Sequence, residues 1–201
     1  MTVTETDVPG ARLVELERHA DARGSLVELW QRDRYREAGL PARFAQDNLS
    51  FSKEGVLRGL HYQHPQAQGK LVSVLRGAVF DVAVDLRPSS PAFGEWTACR
   101  LSRRNARQLY VPKGCAHGFL ALAGALVHYK CTARYAPDCE RALAWDDPAL
   151  SIKWPLAEVE GAPVLSEKDA AAPRLAEAPD EALPGRREDR PRAERMRSEE
   201  V

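Results

Sequence analysis

The sequence has no long apolar segment and no excess of charge of either sign. Its longest strongly apolar run, around residues 118–127, is much shorter than the ~20 residues that a membrane-spanning helix needs. Basic and acidic side chains number 29 each, so the formal net charge is zero. This balance gives no reason to expect nucleic acid or a membrane surface as a partner.

Cysteine is scarce, and the four cysteines, Cys99, Cys115, Cys131 and Cys139, form no Cys-x-x-Cys pair. We therefore expect reduced, structural thiols and no zinc site made from them. The start of the chain, MTVTETDVPG, lacks the basic residues and apolar block of a secretory signal. These features together predict a cytoplasmic protein.

Long helical periodicity is also missing, and short alternating segments separated by turn residues are present instead. Strands are predicted over 26–30, 44–51, 55–63, 70–76, 78–87, 95–101, 107–112, 115–124 and 126–135, with the last two as a hairpin pair. Short helices are expected over 33–39 and after Ser166. This pattern is typical of an antiparallel sandwich or barrel.

The composition changes after about residue 175. Residues 1–175 contain the apolar residues needed for one core, whereas 176–201 are charged, contain proline and have few aliphatic side chains. We therefore predict one domain over 1–175 and a disordered tail over 176–201.

The segment Gly55–Lys70 places histidine and arginine on a strand that would normally bury aliphatic groups. Such a strand suits a barrel that holds a ligand between its sheets, although an exposed edge strand is an equal alternative. Gln46, Asn48 and Ser50 likewise share one face of a strand, which is either solvated or lines a ligand site.

A turn from Pro112 to His117 fits the pattern P-x-G-x-x-H, which in cupins delivers a histidine into a jelly-roll interior. A metal-binding cupin would also need a His-x-His pair and a carboxylate. His61 and His64 are three positions apart and face opposite sides of a regular strand, so we predict no bound metal.

Five segments, taken in order, resemble the dTDP-4-dehydrorhamnose 3,5-epimerase family. They are GVLRGLHYQHPQAQGKLV, GAVFDVAVDLRPSSPAFGEW, PKGCAHGF, HYKCTARYAPDCE and WPLAEVEGAPVLSEKD. The resemblance covers about residues 8–175. It implies an all-β cupin-type jelly roll with a few short peripheral helices, no metal or other cofactor, a homodimer, and a dTDP-4-keto-6-deoxyhexose as substrate.

Epimerisation beside a ketone needs a base, an acid on the opposite face, and a positive group at the carbonyl oxygen. The resemblance implies that His61 is the base, oriented by Asp169, and that Tyr129 is the proton donor. It also implies that Lys70 and His117 lie near the keto oxygen, where Lys70 stabilises the enolate.

The remaining family positions are implied to bind the nucleotide. Arg23 and Arg58 match pyrophosphate ligands, Tyr135 matches an aromatic that stacks on thymine, and further ligand positions correspond to Glu28, Gln46, Asp47, Asn48, Glu140 and Lys168. Leu26 stands where an aromatic is common in the family, which weakens base stacking, and Cys115 stands where a bulkier apolar residue is common.

Three alternatives stay open at this point. They are an epimerase acting at only one carbon, a ketoisomerase on a similar jelly roll, and a non-catalytic sugar-nucleotide-binding protein. Two structural expectations also follow. Arg58 and His61 reach one ligand only if the strand bends near Gly59, and the region of Arg23 and Glu28 is expected to complete the site of a neighbouring subunit.

Overall fold

The computed structural model describes residues 1–184, which form two antiparallel sheets, a separate two-stranded ribbon and two short α-helices. The strands are β1 Thr2–Glu5, β2 Arg12–Glu15, β3 Arg18–Asp21, β4 Gly24–Val27, β5 Gln46–Ser52, β6 Leu57–Gln63, β7 Lys70–Arg76, β8 Ala78–Asp85, β9 Trp96–Ser102, β10 Arg107–Val111, β11 Cys115–Ala121, β12 Ala125–Cys131 and β13 Glu140–Ala142. The helices are α1 Arg32–Glu37 and α2 Glu167–Ala170.

The two sheets pack face to face as a jelly-roll sandwich, which confirms the predicted fold class. One sheet has the order β1-β2-β10-β7-β12-β5 and the other β13-β6-β11-β8-β9. The core between them contains Val72 and Leu109 from the first sheet and Val79 and Phe119 from the second. Along these strands, the side chains that point into this core alternate with side chains on the outer face of the sheet.

The predicted hairpin over 115–124 and 126–135 is wrong. β11 pairs with β6 and β8 in the five-stranded sheet, whereas β12 pairs with β5 and β7 in the other. The connection at residues 122–124 therefore crosses from one sheet to the other. Alternation within a strand says which residues share a face but not which sheet the strand joins.

The strand predicted over 26–30 is also shorter than expected, because β4 ends at Val27. Trp30 leaves the ribbon and packs against Phe44 and Tyr35, with ring centroids 5.8 and 6.4 Å away. Tyr35 belongs to α1, which covers the outer face of the six-stranded sheet. The chain bends after β4, and the bend places the Trp30 ring in the aromatic cluster on the outer face of the sheet.

The predicted bend near Gly59 is confirmed. His61 pairs with His117 and Arg58 with Phe119, so three steps along β6 match two steps along β11. Gly59 has φ +105, and a Cβ there would lie 2.6 Å from the carbonyl oxygen of His117. Only glycine fits this position, and the extra residue turns Arg58 and His61 toward the same cavity.

Both predicted helices are present. Gln31 caps α1 by accepting a hydrogen bond from Arg34 N at 2.7 Å, and Ser166 caps α2 by accepting one from Asp169 N at 3.1 Å. No helix within residues 1–184 is long and apolar enough to cross a membrane.

The structure describes the first part of the predicted tail. In residues 176–184, Ala182 and Leu183 are buried, and a short helical turn spans Asp180–Ala182. The prediction for residues 185–201 lies outside the described residues.

Candidate active site

A cleft opens between the two sheets at the end where β5, β6, β7 and β12 meet. Two adjoining cavities of about 280 and 220 Å³ share three lining residues, His61, Lys70 and Tyr129. Acid, base and cationic groups from both sheets therefore face one space. A sandwich interior normally carries aliphatic side chains, so this polar end is the candidate ligand site.

His61 is held by a carboxylate from a distant part of the chain. Its Nε2 lies 2.6 Å from Oδ1 of Asp169, which is buried with 4% of its surface exposed. A carboxylate only accepts hydrogen bonds, so Nε2 carries the proton and Nδ1 keeps its lone pair. Burial lowers the pKa of His61 and outweighs the opposing effect of Asp169, so the neutral imidazole is favoured.

Tyr129 and Lys70 have pKa values shifted by burial in opposite directions. Burial raises the pKa of Tyr129, which keeps its hydroxyl protonated and able to donate a proton. Burial lowers the pKa of Lys70, while the nearby Cys131 and Asp81 act in the opposite sense. An ammonium with little solvent around it stabilises new negative charge strongly, because water does not screen the interaction.

A second histidine lies deeper in the cleft. His117 Nε2 is 2.9 Å from Oδ1 of Asp81, whose surface is fully buried. Oδ2 of Asp81 has no hydrogen-bond partner among the residues that the structure describes. The Asp81 carboxylate favours the protonated form of Lys70, which lines the same cleft.

The rim of the cleft carries charged and aromatic groups. Glu140 accepts hydrogen bonds from Lys168 and from the Tyr135 hydroxyl, the latter at 2.8 Å. Burial alone would raise the pKa of Glu140, but these bonds outweigh it and the pKa is lowered. On β5, Gln46 donates to Asn48 Oδ1 at 2.9 Å, and both line the larger cavity.

The comparisons with known proteins identify one family. The sequence profile of the dTDP-4-dehydrorhamnose 3,5-epimerases matches residues 5–177. The chain belongs to the dTDP-4-dehydrorhamnose 3,5-epimerase family. A Pseudomonas aeruginosa dTDP-4-dehydrorhamnose 3,5-epimerase is 49% identical over 180 residues, which are 89% of this chain and 98% of the relative.

Two solved structures of similar proteins carry a bound sugar nucleotide. RmlC from Legionella pneumophila, in complex with dTDP-4-keto-L-rhamnose, is 47% identical with a TM-score of 0.87 and covers 92% of this chain and 98% of its own. ChmJ, a 3'-monoepimerase from Streptomyces bikiniensis in complex with dTDP-quinovose, is 36% identical with a TM-score of 0.78, covering 85% and 86%.

Most of the residues predicted from the family resemblance line the cleft or its rim. These are His61, Asp169, Tyr129, Lys70, His117, Arg58, Gln46, Asn48, Tyr135, Glu140 and Lys168. Arg58 is anchored by donating from Nε to Ser52 Oγ at 3.0 Å. This set comes from seven separate segments of the fold, namely β5, β6, β7, β11, β12, residues 135–140 and α2, so spacing alone does not reveal it.

Three predicted ligands lie elsewhere. Asp47 is on the outer face of β5 and pairs with Lys130 at 2.8 Å. Glu28 pairs with Arg34 at 3.1 Å, and Arg23 is at the tip of the β3–β4 ribbon with its side chain 90% exposed. Within residues 1–184, none of the three lines the cleft that contains His61.

The structure also adds residues that the sequence analysis missed. Gln63 and Gln68 line the larger cavity, and Asp81 is bonded to His117. In the sequence, Asp81 alternates with apolar residues on β8 and therefore resembles a solvent-exposed residue. Its neighbours on the same face, Val79 and Ala83, are apolar core residues, and this pattern could have indicated that Asp81 points inward. Within the described range, no cluster of three or more His, Cys, Asp or Glu side chains is arranged to hold a metal.

Proposed function

We propose that this protein epimerises a dTDP-4-keto-6-deoxyhexose at C3 and C5, converting dTDP-4-dehydro-6-deoxyglucose to dTDP-4-dehydrorhamnose. The observation that carries the proposal is the convergence of an oriented imidazole, a protonated phenol and a partly buried ammonium on one cleft. These are the three groups that enolate chemistry needs. A protein that only binds a sugar nucleotide would need none of them in this arrangement.

His61 begins the reaction by removing a proton from the carbon beside the C4 ketone. Nδ1 takes the proton, and the electron pair of the C–H bond moves into a new C–C double bond, leaving the enolate charge on the C4 oxygen. Asp169 then faces an imidazolium and stabilises it. The pair therefore lowers the cost of the charge separation that the step creates.

Lys70 and Tyr129 complete the inversion. The ammonium of Lys70 stabilises the enolate oxygen, and the Tyr129 hydroxyl donates a proton to the opposite face of the same carbon. The phenolate regains its proton from solvent and His61 releases its own, so the reaction is an isomerisation without redox change. Repeating the cycle at the second carbon completes the double epimerisation.

Solvent deuterium tests this function directly. Wild-type protein incubated with dTDP-4-keto-6-deoxyglucose in D₂O is expected to introduce deuterium at both C3 and C5, as seen by proton NMR. Deuterium at one carbon would instead support the single-carbon alternative, which the likeness to the monoepimerase ChmJ keeps open. No deuterium in the sugar would refute this activity.

We also propose that the protein is a cytoplasmic homodimer in which the β3–β4 ribbon of one subunit completes the cleft of the other. The ribbon forms a sheet of its own, and Leu26 on it is exposed. Arg23 at its tip borders a cavity separate from the cleft of its own chain. The four free cysteines suit a reducing compartment.

Coexpression of two inactive variants tests this dimer. Arg23→Ala and His61→Asn subunits are each expected to lose activity, but their heterodimer contains one cleft with both wild-type residues. A random mixture should therefore recover about a quarter of the wild-type activity at low substrate concentration. No recovery, or a monomer in sedimentation, would show that Arg23 does not act across subunits.

A further inference from the structure

We infer that Gln63 and Gln68 are positioning residues that hold the Tyr135 loop, residues 132–136, in the conformation that receives the nucleotide. The inference rests on the proposed function, because that function gives Tyr135 its role beside the base. It assigns a task to two buried amides that the proposed reaction itself does not use.

The loop has no helix or strand of its own and connects β12 to the segment before β13. Side-chain amides bond a backbone group of each of the residues 133–136. Gln63 Oε1 accepts from Ala136 N at 3.0 Å, and its Nε2 donates to Arg134 O at 3.2 Å. Gln68 Nε2 donates to Ala133 O at 2.7 Å.

A third amide completes the arrangement from the opposite sheet. Gln46 Oε1 accepts from Tyr135 N at 2.8 Å, so each of the residues 133–136 has a backbone group bonded to a glutamine. Gln46 lies on β5 of the six-stranded sheet and Gln63 on β6 of the five-stranded sheet. The loop is therefore tied to both walls of the cleft.

The burial of the Gln63 and Gln68 amides favours a positioning role over direct binding of the ligand. Gln63 is 5% exposed and Gln68 is 9% exposed, and both bond the loop backbone; Gln63 Nε2 also donates to Gln66 O at 3.0 Å. Tyr135, by contrast, is 50% exposed, with its hydroxyl bonded to Glu140. The glutamines lie beneath the loop and fix where the exposed ring points.

Without the hydrogen bonds of Gln63 and Gln68, the loop would adopt more conformations in the free protein. Ligand binding would then have to order the loop, and this cost would appear as weaker affinity for the nucleotide. The reacting groups lie on strands and on α2, so the rate at saturating substrate should change much less. A rise in KM with little change in kcat is the signature expected of this role.

The test compares dTDP binding by calorimetry, and kinetics, for Gln63→Leu and Gln68→Leu. We expect dTDP to bind about five- to twentyfold more weakly to each variant, with kcat changed less than about threefold. Gln108→Leu is the matched control, since Gln108 is a buried glutamine that bonds Leu29 and Ser73 away from the loop. Its dTDP affinity should equal that of the wild type.

A double variant shows whether the effect passes through Tyr135. Tyr135→Ala should weaken dTDP binding, and adding Gln63→Leu should cause little further loss. Fully additive losses, or wild-type affinity in both glutamine variants, would overturn the inference. If Gln63→Leu does not fold, Gln68→Leu decides the matter, because it removes a single hydrogen bond.

The two proposals fail in different ways. If the wild type neither binds dTDP nor introduces deuterium into the ketosugar, the proposed function is refuted. If the wild type does both and the glutamine variants behave like it, only the positioning role is refuted.

Discussion

His61→Asn is expected to lower kcat about a thousandfold or more and to abolish deuterium incorporation at both carbons. Asparagine keeps a polar group of similar size next to Asp169 but has no basic nitrogen, so the first proton is not removed. NMR of the sugar in D₂O measures the exchange, and dTDP binding should stay near the wild-type value. His128→Asn is the matched control, because His128 is on β12 next to Tyr129 but on the opposite face of the strand.

The pH dependence of the wild type supports or contradicts the same assignment. Burial lowers the pKa of His61 from its usual 6.5, and the base acts in its neutral form, which is present above the pKa. The midpoint of the acidic limb of the kcat/KM profile should therefore lie below pH 6.5. Asp169→Asn removes the negative charge that raises the pKa of His61. In this variant the acidic limb should therefore move to lower pH, and kcat should be lower than in the wild type. An acidic limb above pH 6.5 in the wild type would contradict this account.

The cleft shows which parts of a site can be predicted from local sequence. Arg58 and His61 are three positions apart, and two side chains at that spacing share a ligand only if the strand has a bulge. Gly59 lies between them, so the position of the bulge could be predicted, and the pairing of β6 with β11 is irregular at that position. The face shared by Gln46 and Asn48 was likewise readable from alternation, and both residues line the cavity.

Contacts between distant segments were not predictable from spacing. His61 and Asp169 are 108 positions apart, and without the family resemblance Asp169 reads as a surface charge in the first turn of a helix. Asp81 resembled a solvated position because alternation does not tell the inner face from the outer one. The glutamine bonds to residues 133–136 were equally hidden, since a loop that lacks regular structure gives no pattern from which its partners could be inferred.

Lys70→Met should lower kcat about a hundred- to a thousandfold while leaving the fold intact. Methionine replaces most of the lysine stem but removes the charge that stabilises the enolate oxygen. Burial lowers the pKa of Lys70, so an anion that forms beside it favours its charged form. Arg76→Met is the control, since Arg76 is an exposed cation at the other end of β7.

The partition of the Lys70 effect between binding and chemistry decides its role. If Lys70 stabilises the enolate, kcat and kcat/KM fall together while dTDP affinity is unchanged, because the interaction is made only in the transition state. If it bound the ground-state sugar nucleotide, KM would rise and kcat would persist. Asp81→Asn gives a second test, because the Asp81 carboxylate favours the ammonium form of Lys70. The substitution should reduce kcat in the wild-type background. It should have little additional effect in Lys70→Met, where the ammonium is already absent.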